Sequence, residues 1–183
     1  MVITRDDEPT VTVSNMKVAQ FLYLLINNPE IRDAIDTITS KVVLILGRFT
    51  DERISILEAL RTELQKRDYI PVLFDFDAPK SRHIEETVST IAHMARFIIA
   101  DITDPRAIPR ELTIIVRNLQ TVPVLPLLHE SGEPWGMYAS IDSRSTVLPI
   151  LEYSSESELI GKIQSEVIQV AEQKVIELKP KAT

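Results

Sequence analysis

The run Val42 Val43 Leu44 Ile45 Leu46, closed by Gly47, constrains this chain more than any other stretch. It has no polar alternation, so a strand built from it is covered on both faces, as in a parallel sheet flanked by helices. Its successors keep the same rhythm. The helical stripe Ile54, Leu57, Leu60 and Leu64 precedes a β-rich run from Tyr69 to Phe74, in which Pro71 marks an edge strand. A helix carrying Ile84, Val88, Ile91 and Ala95 leads to a third strand, Arg96 to Ala100, ending at Asp101. A helix from Pro109 to Leu119, strands at Val122 to Leu128 and Thr146 to Leu151, and a final helix from Ser155 to Leu178 complete the series.

Alternation with short connections predicts right-handed crossovers and an α/β, flavodoxin-like doubly wound sheet of five parallel strands in the order 2-1-3-4-5. That order puts a crevice outside the carboxyl ends of strands one and three. Ahead of the sheet, residues 1 to 13 are polar and read as a flexible N-terminus. Ser14 and Asn15 offer N-caps for a helix through Asn27, and Pro29 starts a second helix to about Ile38. Val18, Phe21, Leu22, Leu25 and Ile26 recur at helical spacing in the first, and Ile31, Ile35 and Ile38 in the second, so one face is expected to be buried. The main domain, or a second protein surface, could cover it. The expected organisation is a helical extension over 14–40, an α/β domain over 41–178 and a tail over 179–183. With 183 residues, 44% of them hydrophobic, the chain can build one full core and a small appendage.

Composition excludes several functions. The net charge of -7 gives no general attraction to nucleic acid or to anionic membranes. There are no cysteines, which rules out disulfides, thiolate metal sites and cysteine nucleophiles and fits a reducing compartment. The start, with Arg5, Asp6, Asp7, Glu8 and Pro9, is unlike a secretory signal, and no apolar stretch nears the roughly 20 residues of a membrane span. A cytoplasmic protein without membrane or nucleic-acid partners is expected. His83, His93 and His129 lack zinc-site spacing, so no metal is expected. The four glycines fit neither GxGxxG nor GxxxxGK, which disfavours dinucleotide-fingerprint and Walker-type readings.

The polar residues after each strand collect on one rim. Strand one contributes Arg48, Thr50, Asp51 and Arg53, and strand two contributes Asp75, Asp77, Lys80, Ser81 and Arg82. Asp101, Thr103, Asp104 and Arg106 follow strand three, with Glu111 a short segment later, and His129 and Glu130 follow strand four. Arginines and backbone amides suit phosphate while carboxylates suit sugar hydroxyls, so the rim could hold a nucleotide. It could equally be the solvated loop edge of any such sheet. Pro109 is a natural first helical position, which places Glu111 in the first turn, where the helix dipole favours its charge. The residues alone read Glu111 as a cap. The least regular stretch, His129 to Arg144, contains Gly132, Pro134, Trp135 and Gly136 and suggests a mobile flap.

In order along the chain, these segments resemble a Toll/interleukin-receptor (TIR) domain of bacterial type. KVVLILGRFTDER, from Lys41 to Arg53, stands where the family has its first box. DFDAPKSRHI, from Asp75 to Ile84, resembles the second box and its BB loop, and STIAHMARFIIADIT, from Ser89 to Thr103, the following helix and strand. IPREL, from Ile108 to Leu112, resembles the segment that carries the catalytic glutamate, and VPVLPLL, from Val122 to Leu128, the fourth strand. The resemblance spans most of residues 41 to 153. The second box lacks a glycine after Pro79, Ala107 and Ile108 stand where an aromatic often precedes the glutamate, and a Phe-Trp third box is missing.

The resemblance implies cleavage of the N-glycosidic bond of NAD with Glu111 as the catalytic carboxylate. It implies a pocket lined by Arg48, Phe49 and Thr50, gated by the loop from Asp77 to Arg82. Asp101 and Thr103, from the rim after strand three, join them in the expected nucleotide-binding set. NAD is then a substrate and no cofactor is required. Assembly into homo-oligomers, a protein partner at the N-terminal helices and a role in bacterial signalling or antiviral defence are further implications. Two alternatives stand beside it: a non-catalytic TIR-like interaction or nucleotide-sensing module, and a nucleoside deoxyribosyltransferase-like enzyme, whose strand-end aspartate and later glutamate resemble Asp101 and Glu111.

Overall fold

The computed structural model describes residues 15–48, 50–75, 82–104, 109–133 and 138–178. The chain divides into two compact units, Met1–Thr39 and Ser40–Thr183. The first holds α1 (Met16–Asn27) and most of α2 (Pro29–Lys41). Asn15 caps α1, its Oδ1 accepting from the amides of Lys17 at 3.0 Å and Val18 at 3.2 Å. The chain breaks at Asn28 because Pro29 disfavours a helical residue before it, and Asn28 is accordingly extended at φ -121°, ψ 103°. Its side chain then accepts from the Glu30 amide at 3.0 Å and helps start α2. The face expected to be buried is only partly so: Leu22, Leu25 and Ile26 are half-buried, whereas Val18 and Phe21 are 47% and 52% exposed.

In the second unit, β1 (Val42–Gly47), α3 (Asp51–Gln65), β2 (Ile70–Asp75), α4 (Arg82–Met94), β3 (Phe97–Asp101), α5 (Pro109–Asn118) and β4 (Val124–His129) alternate. A short α6 (Ala139–Asp142), absent from the sequence-based expectation, precedes β5 (Leu151–Tyr153). The five strands form one sheet in the order β2-β1-β3-β4-β5, and every pairing is parallel. This is the expected flavodoxin-like architecture. Every residue of β1 is buried, as its unbroken apolar run requires. Val43, Ile45, Phe97, Ile99, Leu125 and Leu127 share one core with Leu57, Leu60 and Leu64 of α3 and with the C-terminal helix. Leu44, Leu46, Ile98 and Ala100 alternate to the opposite face. Among the described residues, no helix is long and apolar enough to cross a membrane.

One strand lies elsewhere than its composition suggests. The apolar run from Thr146 to Leu151 makes only an isolated bridge, Val124 to Val147, and the strand itself begins at Leu151. Leu148 still donates to the Val124 carbonyl at 2.8 Å, but Pro149 has no amide to continue the ladder. Pairing resumes as Leu127 with Leu151 and His129 with Tyr153, which brings Tyr153 to the carboxyl rim.

The final helix holds a second departure. It is α-helical over Glu156–Lys162 (α7) and Gln169–Leu178 (α8), with a π-helical segment, Ile163–Ile168, between them. Leu159, Ile163, Val167, Ala171 and Val175 recur at every fourth position and are all buried. At 3.6 residues per turn each step of four overshoots by about 40°, so on a pure α-helix such a stripe would drift by about 160°. The wider i→i+5 turn winds more slowly and returns the stripe to the core.

At the amino-terminal edge of the sheet, Glu172 of α8 ties down two strands. Its Oε1 accepts from the Tyr69 hydroxyl at 2.9 Å and from Arg96 Nε at 3.0 Å, while its Oε2 pairs with Arg96 Nη2. Burial, reinforced by the Glu172 carboxylate, pushes Tyr69 up to about 12 from the usual value near 10. The raised value favours the neutral phenol in the fold. The corresponding stability is complete below pH ~10 and is lost as pH rises towards about 12. Chemical denaturation across this window is expected to show a falling stability with a smaller slope in Tyr69→Phe; an unchanged slope would contradict the Tyr69 assignment.

Candidate functional site

The carboxyl ends of the strands meet around a buried charge. Arg53 stands in the first turn of α3 and continues inward the stripe of Ile56, Leu57, Leu60 and Leu64, all of them buried. A guanidinium there must find a carboxylate, because an unpaired buried charge costs several kcal/mol. Asp101, the last residue of β3, supplies it. Arg53 donates to Asp101 Oδ2 through Nε at 2.9 Å and Nη2 at 2.5 Å, and Nη2 also contacts the Tyr153 hydroxyl. The two side chains are 10% and 3% exposed. Burial opposes the charge on Arg53, but Asp101 and then Tyr153 outweigh it and hold its pKa above the ordinary arginine value. Burial, with the Asp101 charge, likewise raises the Tyr153 phenol against the opposing pull of Arg53.

The network continues along the rim. Asp101 Oδ1 accepts from the Thr103 amide at 3.1 Å, and Thr103 Oγ1 accepts from the His129 amide at 3.0 Å, linking the ends of β3 and β4. The His129 ring meets Tyr153 edge to face at 5.3 Å. Its Nε2 lies 3.1 Å from the Ser154 carbonyl, which can only accept, so Nε2 carries the proton. Nδ1 then accepts from the Ser131 hydroxyl at 2.7 Å. The turn after β4 lies close on this floor: a Cβ on Gly132 would stand 2.8 Å from the Thr103 carbonyl oxygen, so only glycine fits there without a backbone shift.

Above the floor, a second ion pair spans the place where the strand order reverses. Arg48, directly after β1, donates from Nη1 to Asp104 Oδ2 at 2.7 Å, and the side chains are 28% and 29% exposed. Arg48 and Asp104 therefore bridge the loops that leave β1 and β3, the position at which open α/β sheets take ligands. Such a site offers a guanidinium for an anion and a carboxylate for a hydroxyl, both reachable from solvent. No histidine, cysteine, aspartate or glutamate cluster of metal-binding size occurs among the described residues.

The expected site residues distribute as follows. Arg48, Asp101 and Thr103 converge on the rim as just described. Thr50 is the N-cap of α3; its carbonyl accepts from the Arg53 and Ile54 amides at 2.9 Å, and its side chain makes no capping bond. Glu111 is the third residue of α5 and Arg82 the first of α4, but both side chains lie outside the described residues. Phe49 and Asp77 lie outside them altogether, as do Trp135 and Pro79.

The Arg53–Asp101–Tyr153 network was not anticipated as a unit. Its signal was present in the charged residue at a position of the α3 stripe and in a strand ending on aspartate. Tyr153 was hidden by the misplaced fifth strand. A groove of about 430 Å³, lined by Ile54, Glu58, Arg61, Pro71 and Leu73, lies on the outer flank between α3 and β2. It contains none of the rim residues.

No protein-family model matches the chain, and comparison with curated proteins finds no match either.

Neutralising one member of the buried pair strands the other. Arg53→Gln and Asp101→Asn are each expected to cost about 3–5 kcal/mol in urea denaturation. The double variant is expected to cost clearly less than the sum; strict additivity would contradict a direct pair.

Proposed function

We propose that the crevice between β1 and β3 binds a nucleotide and that the chain cleaves the N-glycosidic bond of NAD there, with Glu111 as the catalytic carboxylate. The observation that carries this reading is the Arg48–Asp104 bridge across the switch point of the β2-β1-β3-β4-β5 sheet. A phosphate suits Arg48, since a guanidinium can bind it through two parallel N–H donors. The buried Arg53–Asp101 floor holds the two loops at a fixed separation, which is what a preorganised site needs.

The chemistry asks little of the protein beyond one well-placed carboxylate. As the C1′–nitrogen bond breaks, its electron pair leaves with nicotinamide, and positive charge develops on the ribose. A neighbouring carboxylate stabilises that charge and accepts ribose hydroxyl hydrogen bonds. Water then adds at C1′ and releases a proton, giving ADP-ribose. The third position of α5 suits this role, because the helix dipole keeps a carboxylate charged there. Self-association is part of the same reading.

A non-catalytic interaction module is the second reading, and the open apolar surface of α1 favours it. Phe21, Tyr23 and Leu24 are each about half exposed there. Incubation with NAD at high protein concentration, alongside Glu111→Gln, separates the two. The enzymatic reading expects nicotinamide release that falls at least ~100-fold in the variant, the scale of losing one electrostatic stabiliser. Equal release by both proteins, or no turnover by concentrated, assembled protein, would overturn it.

A further inference from the structure

We infer that Asp104 is a specificity-determining residue of the crevice, one that selects phosphates carrying an adjacent sugar hydroxyl over bare polyphosphate. The inference rests on the nucleotide-binding reading above and goes beyond it by assigning the rejection of a competing ligand class to one side chain.

The backbone next to each member of the Arg48–Asp104 pair is anchored by the fold. Arg48 follows Gly47, whose position against Leu57 and Asp101 is so close that an added Cβ would lie 3.3 and 3.5 Å from them. Asp104 follows Thr103, whose amide is held by Asp101 and whose hydroxyl is held by the His129 amide. An arriving phosphate takes the guanidinium, and Asp104 remains beside it as a carboxylate.

From that point the ligand's own chemistry decides. A bare pyrophosphate brings only acceptors and negative charge, so Asp104 competes for Arg48 and then repels the ligand. A nucleoside diphosphate sugar brings hydroxyl donors on a short tether. Asp104 can accept one of these, and the carboxylate that opposed the phosphate becomes a binding partner. Partial exposure keeps either effect modest, in the range of a few-fold. The pair's exposure also makes the competition sensitive to salt.

The test is isothermal titration of the full chain with inorganic pyrophosphate and with ADP-ribose, using wild type, Asp104→Asn and Arg48→Gln. Asp104→Asn is expected to bind pyrophosphate about 2- to 5-fold tighter and ADP-ribose no tighter, so the preference for ADP-ribose shrinks by that factor. Arg48→Gln is expected to weaken both ligands together. Asp104→Ser, which differs in shape, is expected to move the preference in the same direction as Asp104→Asn; thermal melting of each variant establishes that it is folded. Retained binding with an unchanged preference in Asp104→Asn would overturn the role of Asp104 while leaving the nucleotide site intact. Failure of wild type and Asp104→Asn to bind either ligand would overturn both.

Discussion

The ion pair between Arg53 and Asp101 is the contact on which the carboxyl rim of this sheet depends. It is a costly way to close a core, since both charges leave water, and an apolar pair of similar volume could be as stable. What it provides is position. One guanidinium from the first turn of α3 reaches the end of β3 and the Tyr153 hydroxyl at the end of β5, and Thr103 extends the linkage to β4. The carboxyl ends of β3, β4 and β5 share a polar floor. The exposed Arg48–Asp104 bridge has a defined span because that floor lies beneath it.

The opposite edge is secured by a different device. Glu172 gathers Tyr69 and Arg96, and so fastens the C-terminal helix to the entries of β2 and β3. The helix can reach that edge with its apolar stripe still inward because its π-helical turn absorbs the drift of a four-residue repeat. The amino-terminal edge is thus tied to the C-terminal helix, while the carboxyl edge carries a partly exposed ion pair above a buried one. This division matches the way ligand sites sit on doubly wound sheets.

Much of the architecture was legible in the sequence because the signals were redundant. The apolar run Val42–Leu46 could only be a doubly covered strand, and the stripes of α3 and α4 had no competing period. The fifth strand was misplaced because hydrophobicity does not register a missing amide, and Pro149 interrupts the ladder within an otherwise suitable run. The half-open face of α1 was not legible because helical spacing reveals an apolar face but not what covers it. At the rim, the residue types were readable but their pairing was not. Arg53 and Asp101 lie 48 positions apart, and only the fold reveals that they satisfy each other. The role proposed for Glu111 rests on the resemblance and on its place in the first turn of α5.

The central claim is that the crevice between β1 and β3 is where a nucleotide binds. Its most direct test is a titration of NAD into isotopically labelled Glu111→Gln protein, following backbone amide shifts by NMR. The account predicts that the largest changes fall on Arg48, Thr50, Thr103 and Asp104, with the amides around Glu172 unmoved. Changes centred instead on Ile54, Glu58 and Arg61 at the outer groove, or no changes at saturating NAD, would contradict it.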